Sequence, residues 1–103
     1  MSVYVDDMAA PFGRMLMCHM IADTHAELVE IAERIGVRRK WIQQAGTAQE
    51  HFDICQAMRA KAVQLGAIEI TMRELAERTY GRRDDARRAP YFGEGVAPRE
   101  EKT

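Results

Sequence analysis

Apolar residues along the chain are grouped in short runs that polar or turn-forming residues separate. Residues 3–5 are β-branched or aromatic and are followed by two aspartates, which predicts a short buried strand. Residues 15–22 are apolar except for His19 and predict a second buried strand. Residues 8–14 include a proline and a glycine, and we predict a loop there. The chain is thus expected to open with two strands joined by a loop.

A capping box followed by helical apolar spacing is the clearest secondary-structure signal in the chain. Thr24 occupies the N-cap position and Glu27 the third helical position, so that each side chain can accept a backbone N–H of the other residue. The apolar residues that follow recur every three or four positions, and Gly36 suits the left-handed conformation that ends many helices. These features predict a helix over residues 25–35.

The second half of the chain predicts two more units of a strand and a helix. Residues 41–43 are predicted to be a short strand, and Asp53 is predicted to cap a second helix that ends at a glycine. Residues 67–70 are predicted to be a further strand. A second capping box over residues 71–74 predicts a third helix that continues to about Tyr80.

These elements follow one another in the order β-β-α-β-α-β-α. Helical crossovers favour parallel pairing, whereas the first two strands can pair antiparallel. We therefore predict a small single α/β domain over residues 1–80, with about four strands in a mixed or mostly parallel sheet and three helices. From Arg82 onward the chain is rich in Arg and Asp and then in Pro and Gly, so residues 81–103 are expected to be a charged, disordered C-terminal tail.

Composition and charge narrow the classes of function. The 103-residue chain is 47% apolar with a formal net charge of −1, so no global charge attracts it to nucleic acid or an anionic membrane. Its two cysteines form no CxxC pair, no secretory leader is expected, and no apolar run is long enough to span a bilayer. A cytoplasmic protein without a membrane segment is therefore predicted. Core filling is the default role of the seven methionines, although flexible Met-rich surfaces also serve partner binding, and a homo-oligomer that pairs through a strand or helix face is left open.

Asp and His residues recur where the predicted strands end or a predicted helix begins. Ligands of open α/β sheets bind outside the carboxyl ends of the strands, so these side chains mark a candidate site. Mixed carboxylate and imidazole ligands suit zinc, manganese or iron, and such a divalent metal can activate water or polarise a phosphoryl oxygen. The candidate metal ligands are Asp6, His19, Asp23, His51 and Asp53, of which Asp6, His19 and His51 are also the candidate catalytic residues.

Structural roles are the alternative explanation for several of these residues. Asp23 and Asp53 stand where helices are predicted to begin, and capping alone would account for both. His19 can equally be a buried histidine that a neighbouring carboxylate satisfies. A nucleophilic Cys55, one helical turn after His51, is disfavoured because cysteine is among the residue types most often buried.

Cationic side chains supply candidate contacts to a phosphate-containing ligand. Arg14 and Arg59 are the residues expected to neutralise phosphate charge, although Arg59 can equally be a solvated helix residue. Residues 38–41 join three cations to Trp41, a combination that can hold nucleic-acid phosphates and stack on a base. The alternative is that these cations complement a helix C-terminus and that Trp41 lies in the core.

Several short motifs taken together resemble a known family. They are residues 3–8, Gly13-Arg14, residues 18–24, Glu27-Leu28 and residues 51–54. Through them, about residues 3–75 resemble the bacterial and phage family called domain of unknown function 4031. The resemblance implies that the five candidate metal ligands form the family's polar signature, and it implies no established activity. Phe52 departs from the tyrosine usual in the family, and Val29 from a histidine that several relatives carry.

Two classes of function follow from the sequence. The first is a metal- or phosphate-binding site, including that of a small metal-dependent phosphoester hydrolase. The second is a non-catalytic phage or bacterial interaction protein, or a nucleic-acid accessory protein. In the first class the Asp and His side chains converge within the reach of one metal ion, whereas in the second they are scattered as separate caps.

Overall fold

The computed structural model describes residues 2–87, with side chains described through Thr79. The predicted α/β class, mixed sheet and three helices are confirmed, with one strand more than predicted. The strands are β1 (Val3–Val5), β2 (Ala10–Phe12), β3 (Met15–Ala22), β4 (Phe52–Cys55) and β5 (Ile68–Glu69). The helices are α1 (His25–Ile35), α2 (Gln56–Gln64) and α3 (Met72–Arg87), and a short 3-10 helix spans Arg39–Trp41.

The helix predicted over residues 25–35 is confirmed together with both of its caps. Thr24 Oγ1 accepts the Glu27 N–H at 3.2 Å, and the Thr24 hydroxyl donates to the Glu27 carboxylate at 2.9 Å. Gly36 has a φ of 94° and donates its N–H to the carbonyl of Ala32 at 3.1 Å. Local sequence therefore determines this helix.

The long strand β3 is the centre of the sheet. β1 and β2 pair antiparallel with successive parts of one edge of β3, and β4 pairs antiparallel with its other edge. β5 adds to β1, and this is the one parallel pair among the described strands. The carboxyl ends of the strands therefore do not gather at a single edge of the sheet.

The edge formed by β1 and β2 is interrupted opposite His19. β1 ends its pairing at Met20 and β2 begins its pairing at Met17, so residues 6–9 stand opposite only two residues of β3. The extra residues form a bulge in which the Asp6 N–H donates to the His19 carbonyl at 3.2 Å. This bulge places the Asp6 side chain beside His19.

The loop predicted over residues 8–14 is wrong for residues 10–12, which form β2. Gly13, with a φ of 62°, and Arg14 make the tight turn that joins β2 to β3. Pro11 is tolerated in this hairpin because β2 is an edge strand, where a missing backbone donor is least costly.

Side-chain alternation along β3 divides the sheet into two different faces. Cys18 and Met20 are fully buried on one face, against which α1 and α2 pack. Each large aliphatic side chain buried there contributes about 1.5–3 kcal/mol to folding. His19 and Ile21 lie on the opposite face, beside α3. His19 of β3 is thus directed away from the main core.

Three expectations for the middle of the chain are wrong. Residues 41–43 form no strand, since the 3-10 helix ends at Trp41 and only Gln43 makes a β-bridge. Trp41 is 59% exposed and does not lie in the core. Asp53 is not a helix cap, because it lies within β4 and the N-cap of α2 is Cys55. The pairing of β4 with β3 satisfies more backbone groups than one side-chain cap would.

The third helix begins at the predicted capping box and is longer than predicted. Thr71 Oγ1 accepts the Glu74 N–H at 3.0 Å, and the helix runs to Arg87. Residues 81–87 of the expected tail belong to this helix, whereas residues 88–103 lie outside the described residues, so the disorder expected there stays a prediction. Among the helices of the described part, none is long and apolar enough to cross a membrane.

Candidate metal centre

Strand pairing brings His19, His51 and Asp53, here called the His/Asp triad, together on the face of the sheet opposite the main core. Asp53 lies directly opposite His19 in the β3–β4 pair, and His51 precedes Asp53 by two residues. The Oδ1 atom of Asp53 is 3.5 Å from Nε2 of His51 and 3.9 Å from Nε2 of His19. One ligand atom from each residue lies within 4.8 Å of the other two, so a single metal ion can contact all three.

The carboxylate of Asp6 orients the imidazole of His19. Asp6 is fully buried, and its Oδ2 lies 2.7 Å from Nδ1 of His19. Its Oδ1 accepts the backbone N–H groups of His19 at 2.9 Å and Met8 at 3.3 Å. Because an ionised carboxylate only accepts hydrogen bonds, we assign the ring proton of His19 to Nδ1. Its Nε2 lone pair is then free to face Asp53.

A main-chain carbonyl orients His51 in the same way. Nδ1 of His51 donates to the carbonyl of Gln49 at 2.8 Å, which leaves Nε2 as an acceptor. A bridge between Gln43 and His51, with backbone hydrogen bonds of 2.8 and 3.0 Å, closes the loop that carries Gln49. Histidines that bind metals typically donate their second ring nitrogen to a carboxylate or a backbone carbonyl. Here His19 donates to a carboxylate and His51 donates to a backbone carbonyl.

The carboxylate of Asp53 is only partly satisfied. Its Oδ2 accepts the Gln43 side-chain amide at 2.6 Å. Its Oδ1 is buried and has no hydrogen-bond partner among the described residues. A buried polar atom without a partner costs about 1–3 kcal/mol. Three acceptor atoms thus converge without a donor between them, which is the arrangement that a cation stabilises.

Burial and hydrogen bonding act in opposite directions on Asp6. Burial raises the pKa of its carboxyl, but the hydrogen bonds from the side chain and backbone of His19 outweigh burial and hold this pKa below its ordinary value. The hydrogen bond to Asp6 raises the pKa of His19 against the opposing effect of burial, and the charges of Asp6 and Asp53 add to the rise. When His19 becomes charged, its second ring proton binds at Nε2, where a metal ion would otherwise bind. Metal binding is therefore expected to weaken as the pH falls.

His19 and His51 line a cavity of about 230 Å³ between the sheet and α3. The Gln49 side chain donates to the carbonyl of Thr79 at 3.1 Å and joins the loop before β4 to α3. Gln44, which also lines the cavity, is in the left-handed conformation with a φ of 54°. No Lys or Arg lies among the described residues that line this cavity, which are Asp6, His19, Ile21, Gln44, Gln49, His51, Met72, Leu75, Ala76 and Thr79.

Asp23 and Arg14 lie apart from the triad. Asp23 accepts the Ser2 N–H at 2.9 Å and lines a separate cavity with His25 and Glu50. Arg14 is exposed in the turn between β2 and β3. The five predicted metal ligands therefore do not form one group. Three of them make up the triad, Asp6 lies behind His19, and Asp23 lies apart.

Arg59 contacts the bulge and does not line the cavity. Its Nε donates to the backbone carbonyl of Asp6 at 2.9 Å, and its terminal nitrogen pairs with Glu69 at 2.9 Å. These contacts join α2 to the bulge and to β5. The guanidinium expected to neutralise phosphate is thus already paired with two protein oxygens.

Gln43 and Gln49 contribute to the site although the sequence did not identify them. Gln49 acts through its backbone carbonyl, which every residue type possesses. Gln43 reaches Asp53 only because residues 43 and 51 form a bridge, and no periodic pattern marks that bridge. Neither glutamine therefore carries a usable signal in the sequence.

Phe52 lies on the opposite face of β4 from its two neighbours. Its ring is fully buried in the main core, paired with Met20 of β3. Position 52 therefore contributes no side chain to the triad, and the departure from tyrosine does not change the candidate metal ligands.

Comparison with known proteins identifies the family and leaves the function open. The chain belongs to a family described as "Protein of unknown function (DUF4031)", whose family model matches residues 3–82. No curated protein and no solved structure matches the chain. The family assignment agrees with the resemblance seen in the sequence motifs.

Proposed function

We propose that this member of the family binds one divalent metal ion through Nε2 of His19, Nε2 of His51 and Oδ1 of Asp53, and uses it to hydrolyse phosphoester bonds. The observation that supports this most is the buried Asp53 Oδ1, which has no hydrogen-bond partner in the described part of the chain and faces two oriented histidines. Two histidines and one carboxylate form a typical three-ligand catalytic site.

The spacing of the ligand atoms supports a small first-row metal. Ligands about 2.0–2.1 Å from a tetrahedral ion lie roughly 3.4 Å from one another. The 3.5 Å pair of His51 and Asp53 fits this value, the 3.9 Å pair of His19 and Asp53 is somewhat longer, and the three ligand atoms all lie within 4.8 Å of one another. Asp6 remains behind His19, where it holds the ring in position and adds negative charge.

Three protein ligands leave room for water on the cavity side. A metal held by His19, His51 and Asp53 would supply a bound water of lowered pKa and a positive charge that polarises a phosphoryl oxygen. In hydrolysis the water oxygen forms a bond to phosphorus, the phosphorus–oxygen ester bond breaks, and the water proton passes to the leaving oxygen. Because Arg59 is already paired, the metal is the positive charge that meets the phosphate in this proposal.

Metal titration of the full-length protein tests the proposal. After treatment with a chelator, calorimetric titration with Zn²⁺, Mn²⁺ and anaerobic Fe²⁺ is expected to show one ion per chain. Asp53→Asn and His51→Ala should abolish this binding, and Asp23→Asn should leave it unchanged because Asp23 lies outside the triad. The metal-loaded protein is expected to hydrolyse bis(4-nitrophenyl) phosphate.

Three results would overturn the proposal. The first is the absence of metal binding, and the second is equal loss of binding in Asp23→Asn. The third is tight metal binding without hydrolysis of the phosphate ester. Circular dichroism of each variant shows whether it has folded. Asp53→Asn is the variant expected to disturb folding least, because the two side chains are nearly isosteric.

A further inference from the structure

A larger cavity shares Asp53 with the triad. This apolar groove has a volume of about 640 Å³. Its lining residues are Phe12, Met15, Met17, Gly36, Val37, Trp41, Gln43, Asp53, Ile54, Cys55 and Met58, so the cations of the neighbouring segments flank the groove and do not line it. Asp53 and Gln43 line the groove and also belong to the candidate metal centre. A molecule bound in the groove would therefore reach Asp53, one of the three proposed metal ligands.

Two aromatic rings at the groove are exposed to solvent. Phe12 is 67% exposed and Trp41 is 59% exposed, and they come from separate segments of the chain. Met15, which lies between these two residues in the sequence and also lines the groove, is exposed as well. Contiguous exposed apolar surface of this kind commonly marks a binding site. Exposed aromatic faces are the surfaces on which unpaired nucleobases stack.

The two segments that carry these rings are basic. Residues 10–17 contain Arg14, residues 36–43 contain three consecutive cations, and neither segment contains an Asp or Glu. Among the described residues, Arg39 pairs with Glu33 at 2.7 Å, whereas Arg14, Arg38 and Lys40 make no ion pair. The chain as a whole has a net charge of −1, so these cations are a local concentration of positive charge.

We propose that this groove binds single-stranded nucleic acid and presents its phosphodiester backbone to the His/Asp triad. Unpaired bases stack on Trp41 and Phe12, and the unpaired cations Arg14, Arg38 and Lys40 contact the phosphates. The cleavage step rests on the proposed function, whereas the binding step depends only on the groove. The substrate class is thus a single-stranded oligonucleotide.

A second copy of the chain fits the groove less well. A two-fold interface places the same surface of both chains together, so the cationic segments around the groove would face one another. Like charges juxtaposed in an interface oppose association. A polyanion is instead complementary to the same surface.

Trp41 is the only tryptophan of the chain and so reports on the groove directly. Titration of the full-length, chelator-treated protein with a 12-nucleotide oligothymidylate is expected to quench its fluorescence. Binding should weaken with salt, with a log–log slope of about −0.7 for each phosphate neutralised. Arg38→Gln should reduce that slope by about 0.7, whereas Arg73→Gln, which removes an exposed cation on α3, should leave it unchanged.

Anisotropy of a labelled oligonucleotide measures variants that lack the tryptophan. Trp41→Ala is expected to weaken binding by about 5- to 100-fold, the range typical of losing one stacked base. The inference is overturned if the oligonucleotide does not bind, or if Arg73→Gln weakens binding as much as Arg38→Gln does. It is also overturned if sedimentation shows that the protein is a dimer and that the only effect of Trp41→Ala is to dissociate it.

The outcomes for metal and nucleic acid separate the two proposals. Metal binding and ester hydrolysis without oligonucleotide binding would refute the proposal that the groove binds nucleic acid and would leave the proposed function intact. Oligonucleotide binding without metal binding would refute the proposed function and leave the groove as a binding site. His51→Ala, which alters the triad outside the groove, is expected to retain oligonucleotide binding and lose cleavage.

Discussion

The buried carboxylate of Asp6 accepts a 2.7 Å hydrogen bond from Nδ1 of His19 and thereby presents Nε2 of that ring to Asp53. The same carboxylate accepts the His19 backbone N–H, so one side chain fixes both the strand position and the ring orientation of its partner. A bulge in the β1–β2 edge makes this double contact possible. The candidate metal centre therefore depends on a residue that does not bind the metal.

Asp6→Asn is predicted to weaken metal binding by about 10- to 100-fold, the usual effect of losing a carboxylate behind a metal-bound histidine. The asparagine amide cannot hold the His19 proton on Nδ1 as an ionised carboxylate does. Calorimetric metal titration measures the change. Asp7→Asn is the matched control, because Asp7 contacts the Met72 N–H and not the triad. Equal metal affinity in Asp6→Asn and the wild type would contradict the prediction.

The stability of the metal-free protein is predicted to depend on pH through Asp6 and His19. The pKa of Asp6 is lowered from 3.8, so its contribution is present above that pH and is lost as the pH falls through the folded pKa. The pKa of His19 is raised from 6.5, so its contribution is present below that pH and is lost as the pH rises through the folded pKa. The contribution of the pair is thus largest between these two ordinary values.

Urea unfolding of chelator-treated protein across this pH range measures the effect. Asp6→Asn should flatten the dependence on both sides, because it removes the charge that shifts the pKa of His19. Superimposable pH profiles for the variant and the wild type would show that the pair does not contribute.

The two cysteines are predicted to differ in reactivity. Burial, with the charge of Asp6 adding to it, raises the pKa of the Cys18 thiol to about 11, and the side chain is fully buried. Cys55 is partly exposed. At pH 8 a thiol reagent should label one cysteine rapidly in the folded protein and both after unfolding. Cys55→Ser should remove the rapid phase, and rapid labelling that persists in this variant would show that Cys18 is accessible.

Phe52→Tyr is predicted to leave the metal affinity unchanged. The ring lies in the main core on the face of β4 away from His51 and Asp53, so an added hydroxyl does not reach the ligands. Metal titration of this variant beside the wild type is the measurement. A clear gain in affinity would place the ring on the triad side and contradict the assignment of the faces.

Local elements follow closely from the sequence, and pairings between distant segments do not. The capping box at Thr24 and the glycine at position 36 define α1, because both act within a few residues of the helix ends. The interpretation of Asp53 as a cap was wrong for the opposite reason. An aspartate before a helix has the same local appearance whether it caps that helix or belongs to a strand paired with β3.

The α/β class, the family, the caps of α1, the capping box of α3 and the kinds of side chain available for a metal site can all be predicted from the sequence. Tertiary structure alone decided which of those side chains meet. The register of β3 with β4 places Asp53 opposite His19, the bulge after β1 sets Asp6 behind that histidine, and Asp23 is left apart. Register arises from side-chain packing on the two faces of the sheet and from hydrogen bonds between strands distant in sequence. A motif of a few residues does not encode either of these.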